Sequence, residues 1–216
     1  MRLNELYLSG SLENKGPMES YMKNHFTFLG IKSPDRKRQS KDFIKASKQM
    51  PLSELFKLTK EMYNKSEREY QYIAIDMIEA NVKRLDWEEL KKYSVFVQDK
   101  SWWDSTDAWR KVFGLHLLRC PDDKERVFHH FYQHENIWMR RISIILQLNE
   151  KENTSTTLLE LAILNDINTQ EFFIQKAIGW SLRQYGKVNS QWVIDFTNKQ
   201  NLTSLAKKEA LKLINQ

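Results

Sequence analysis

Apolar residues recur along this chain at intervals of three and four, the spacing of helices that bury one stripe. Strict apolar–polar alternation, the mark of a half-buried strand, is weak. The pattern predicts helices over 68–84, 87–98, 102–118, 123–133, 136–148, 156–165, 170–185, 190–199 and 202–214. Pro34 and Pro51 each open a further helix, at the first turn, where a missing N–H costs nothing. Pro17 stands before "MESYMKNHF", and "SGSLENKG" ahead of it reads as poor helix. Connections such as "CPDDK", "NEKENTS" and "YGKVNS" are short and polar, and no stretch reads as a disordered tail. The strongest helices begin near Tyr70, Asp107, Trp138, Phe172 and Lys207, a period of roughly 31–37 residues that suits helical-pair repeats. The expected fold is all-α: one domain over residues 1–216, a curved solenoid of about six helical pairs with a concave face.

Composition narrows the partners. Lys and Arg number 34 against 28 Asp and Glu, a net charge of +6 over 216 residues. That modest excess favours an anionic partner such as nucleic acid or a membrane surface. The single cysteine, Cys120, excludes an intramolecular disulfide framework and fits a reducing compartment. The opening "MRLNELYLSG" lacks the apolar core of a signal peptide, and runs such as "ISII" are too short to span a bilayer. A soluble cytoplasmic protein is expected.

Three helices carry residues that a plain core stripe does not explain. In "SWWDSTDAWR", Ser101 suits an N-cap and Asp104, three residues on, a capping box. Trp102, Trp109, Phe113, His116 and Leu117 then form the core stripe, while Trp103, Asp107, Arg110 and Gly114 share a second face on which Gly114 leaves room for close approach. Either Trp103 packs on a neighbouring repeat and Asp107 pairs with Arg110, or that face is a site. In "NIWMRRISIILQL", Arg141 projects at the edge of the apolar stripe and Arg140 points away. A cation so placed needs an anionic partner, either an internal acid such as Asp107 or a ligand. In "FFIQKAIGWSLRQY", Trp180 lies opposite the core stripe with Phe173, Lys176 and Arg183, through two-sided burial or because it lines a site. Two aromatic planes, a carboxylate and an arginine suit a cationic, sugar-containing group on a polyanionic backbone. The run "KSPDRKRQSK" (32–41) reads equally as phosphate contacts or a solvated face. His130 and His134 are spaced i, i+4 but lack a third metal ligand, and no phosphate loop or nucleophilic-serine motif is present.

Four segments, "YMKNHFTFLGIKSPDRK" (21–37), "KSWWDSTD" (100–107), "NIWMRR" (136–141) and "EFFIQKAIGWSLRQYGK" (171–187), resemble the AlkD-type family of HEAT-like-repeat DNA alkylation-repair glycosylases. The resemblance implies a metal-free, cofactor-free, monofunctional enzyme that removes cationic alkylated purines such as 3-methyladenine and 7-methylguanine from duplex DNA. It implies a monomer working on the nucleoid, without flipping the lesion into a pocket. Trp103, Asp107 and Trp180 take the catalytic roles: the rings contact deoxyribose, and Asp107 stabilises its developing charge. Tyr21, Lys32, Arg141 and Lys176 take DNA-binding roles, Arg141 on the phosphate beside the lesion. The alternative is a weakly active or inactive paralogue that binds damaged or branched duplex DNA.

Overall fold

The computed structural model describes residues 2–214. They are helical throughout, and their one bridge of strand type is the isolated pair Thr27–Glu67. Two compact units divide the chain, Met1–Lys100 and Ser101–Gln216.

The first unit holds α1 (Leu12–Tyr21), α2 (Ser33–Ser47), α3 (Leu52–Tyr63), α4 (Arg68–Asn81), α5 (Trp87–Lys91) and α6 (Val95–Gln98), with short 3-10 turns. Here α4 packs against both α2 and α3 and is its most buried element, with Ile73, Ala74, Met77 and Ile78 sealed from solvent. Pro34 sits in the first turn of α2, as expected, and Pro51 lies one step earlier, at the cap of α3. The expectation of poor helix before Pro17 is overturned: α1 starts at Leu12 and runs through Gly16 and Pro17. Proline forfeits one hydrogen bond there, while Ser11 O already accepts from Asn14 and Lys15 N–H, so the first turn is formed before the proline is reached.

The second unit holds α7 (Trp103–Arg119), α8 (Lys124–Phe131), α9 (Ile137–Ile145), α10 (Thr156–Asp166), α11 (Phe172–Tyr185), α12 (Ser190–Lys199) and α13 (Ser204–Ala210). Helices α7, α9, α11 and α13 pack in succession, and α8, α10 and α12 bridge them as a second layer. This is the i, i+2 layering of stacked helical pairs. Starts are marked by side chains that accept from the first turn: Asn136 from Trp138 N–H at 2.9 Å, Asn189 from Trp192 N–H at 3.0 Å, and Thr203 from Ala206 N–H at 3.2 Å. The helix starts one residue later than expected. Trp102, which has no acceptor oxygen, occupies the cap of α7, because its ring is drawn onto Trp138 and Phe173, 5.7 and 5.0 Å away. Burying three rings together fixes where the helix starts.

Candidate active site

Helix α7 turns Trp109, Phe113, His116 and Leu117 into the core, as its period requires. One turn after the half-buried Trp103, Asp107 emerges on a different face. Both its oxygens are held by one side chain from the next layer helix. Arg141 Nε donates to Oδ1 at 2.9 Å and Nη2 to Oδ2 at 3.0 Å, while Nη1 donates to the Phe173 carbonyl of α11. Arg141 is 4% exposed, so the internal partner left open by its position in the α9 stripe is Asp107 itself. The fork of a guanidinium matches the two carboxylate oxygens and fixes the rotation of the carboxyl plane. Burial pushes the Asp107 pKa above its ordinary value, opposed by Arg141 and then by the Arg110 charge. Arg140 does not point away: its Nε donates to both oxygens of the buried Asp166, at 3.0 and 3.2 Å.

Arg110, the alternative partner for Asp107 on the same face of α7, is buried. Its guanidinium lies 6.0 Å from the Trp180 ring centroid and links the α7 face to α11. Its Nε and Nη1 find no acceptor among the described residues, so they form no hydrogen bond to Asp107. Trp180 is half-buried and so keeps part of its ring accessible. Phe173, expected beside Trp180, instead packs on Trp138 at 5.4 Å. Lys176 and Arg183, on the Trp180 side of α11, both pair with Glu209 of α13, Lys176 at 2.8 Å. The close approach expected at Gly114 occurs at Gly179: a Cβ there would meet Glu209 Cβ at 2.5 Å and the Ala206 carbonyl at 2.9 Å, whereas at Gly114 the nearest atom is an ordinary 3.5 Å away.

Tyr21 and Lys32 belong to the first unit. Tyr21 ends α1 and is 71% exposed; Lys32 is the exposed cap residue of α2. The loop ahead of Lys32 is pinned by Glu69, whose buried carboxylate accepts the backbone N–H groups of Leu29, Gly30 and Ile31 at 2.9–3.0 Å. Gly30 has φ +85°, and a Cβ there would lie 2.1 Å from the Ser11 carbonyl. In the basic run, Arg36 is turned inward, 4.5 Å over the Tyr72 ring and 3.4 Å from Asp76, and Arg38 pairs with Asp35 on the surface.

His116, Cys120 and Asp123 bring three donor atoms within 4.8 Å of one another. His116 Nε2 is already 2.6 Å from Asp123 Oδ2, which shares its carboxylate with Arg126, and Nδ1 faces Arg119 at 3.3 Å. A metal-bound imidazole presents its second N–H to an acceptor, and an arginine is not one. His134 Nδ1 accepts from the Asn136 N–H. No helix among the described residues is long and apolar enough to cross a membrane.

Comparison with known proteins gives the family. The model of a family described as DNA alkylation repair enzyme matches residues 3–214, across both units. A solved structure described as a predicted DNA alkylation repair enzyme from Enterococcus faecalis is 44% identical, with a TM-score of 0.96 over 98% of this chain and 99% of that one. A search of curated proteins finds no match. The helical fold, the match along nearly the whole sequence and the identity agree, and the chain belongs to the DNA alkylation repair enzyme family.

Proposed function

We propose that the protein is a monofunctional DNA glycosylase of HEAT-like fold that hydrolyses the N-glycosidic bond of cationic alkylated purines, such as 3-methyladenine and 7-methylguanine, in duplex DNA. It acts as a monomer in the cytoplasm, on nucleoid DNA. The observation that carries this reading is Asp107, a partly buried carboxylate oriented at both oxygens by Arg141. Each oxygen spends one lone pair on Arg141 and keeps another. Those remaining lone pairs can accept from a water, and the negative charge faces a sugar whose C1′ becomes positive as the bond opens.

The reaction balances without an acid catalyst. The C1′–N bond breaks and its electron pair neutralises the positive charge already on the alkylated base. Water oxygen bonds to C1′ and the released proton passes to solvent. Trp103 and Trp180 offer ring faces to the deoxyribose, and Asp107 stabilises the oxocarbenium-like state between them. Arg141 has one unused N–H on each terminal nitrogen for the phosphate beside the lesion. Lys176 contacts the backbone once exchanged from Glu209, and Tyr21 and Lys32 are proposed DNA contacts of the first unit.

The test is release of free base from duplex DNA methylated at purine nitrogens. Wild type is expected to release it, and Asp107→Asn to lose release by about 100-fold or more while binding duplex with near-normal affinity. Duplex binding by wild type with no base release overturns the glycosylase in favour of a DNA-recognition paralogue.

A further inference from the structure

Of the two arginines beside Asp107, one is left without an acceptor for two of its nitrogens among the described residues. Two guanidinium groups, Arg110 and Arg141, lie sealed from solvent at 8% and 4% exposure, and the one carboxylate bonded to either is Asp107. Arg141 takes both of its oxygens. Arg110 is left one turn further along α7, with two buried nitrogens, Nε and Nη1, lacking an acceptor among the described residues. The Trp180 ring, 6.0 Å from the guanidinium carbon, covers it without satisfying those donors, since a ring face attracts the charge but does not accept two N–H groups. Burial pulls the Arg110 pKa down, and the nearby Arg141 pulls the same way, yet arginine stays charged at any physiological pH. A buried, charged, half-satisfied donor is among the costliest groups a fold can hold unless it is completed by something that binds.

We propose that Arg110 is a second phosphate-receiving residue of this site, its unpaired N–H groups reaching phosphodiester oxygens of the DNA strand whose sugar lies on Trp180. The assignment rests on the duplex-binding reading above. The ligand atom is anionic because the Arg110 charge has no hydrogen-bonded carboxylate among the described residues. It is an oxygen because the N–H groups of a guanidinium seek oxygen acceptors, and a phosphodiester offers two non-bridging ones. Ring movement of the half-buried Trp180 on binding opens the path. Arg141 then serves chiefly to orient Asp107, and Arg110 anchors the backbone.

The experiment measures affinity for undamaged duplex as a function of salt for wild type, Arg110→Met and Arg110→Lys, each first checked for cooperative melting. Arg110→Met, which fills the same buried space without charge, is expected to lower the slope of log affinity against log salt by about 0.9, the release of one counterion, and Arg110→Lys to retain the slope. An unchanged slope in Arg110→Met overturns the assignment. If Arg110→Met does not fold, the wild-type protein decides: the Arg110 Nε–H NMR signal, identified by its loss in Arg110→Lys, is expected to shift on duplex addition, and a signal indifferent to duplex overturns the assignment. Base release is measured separately. Loss of the Arg110 effect with release intact removes this inference alone. Release absent with the slope change present removes the glycosylase alone, and a wild type without duplex affinity overturns both.

Discussion

At the scale of single residues, Asp107 sits between opposing forces. Burial raises its pKa, and Arg141, through charge and two hydrogen bonds, draws it back. The carboxylate does its work ionised, so base release is expected to fall on acidification with a midpoint above the usual carboxylate range near 4. A pH–rate profile checks this, and Arg110→Met moves the midpoint further up, because one of the two stabilising cations is gone. The stability effect has the same origin. A carboxyl with a raised folded pKa binds its proton more tightly folded than unfolded, so its contribution is present in acid and is lost as pH rises through the folded value. Asp107 is thus kept charged at some cost to folding, as suits a group retained for chemistry.

At the scale of elements, helix boundaries were legible to within a few residues, because a 3.6-residue period survives almost any surface chemistry. Apart from α1, whose first turn closes locally ahead of Pro17, the misses share a cause: tertiary contacts that local rules do not see. The cap position of α7 falls on Trp102 rather than Ser101, because Trp102 was pulled onto rings 36 and 71 residues away in sequence. Arg140 read as solvent-facing because Asp166, its partner, lies on a helix the period cannot place opposite it. Asp107 and Arg141 were both legible as misfits, and their pairing stood open until α7 and α9 were side by side. The sequence showed six glycines without saying which one mattered. Gly179 does, since α13 lies on it. Gly179→Ala is expected to drive α13 from α11 and destabilise the fold by about 2 kcal/mol, read as a lower denaturation midpoint. The same change at Gly114, where ordinary contact distances remain, should cost little or nothing.

At the scale of the molecule, a net charge of +6 understates how local the electrostatics are. Glu209 occupies both Lys176 and Arg183, so part of the positive charge on the Trp180 side of α11 is held in reserve by α13. Glu209→Gln is expected to tighten duplex binding by about tenfold at low salt and to steepen its salt dependence, with little change at high salt. A titration across salt concentrations checks both. The Asp107–Arg141 bond has a different consequence for how the sequence can change over time. Losing Arg141 alone strands a buried carboxylate, and losing Asp107 alone leaves two guanidinium groups facing each other. Neither position can drift by itself, and a path away from this pair runs through an intermediate less fit than either end. The two codons are tied together by electrostatics across 34 residues of chain, so selection for folding preserves the arrangement even in periods when selection for its chemistry is relaxed.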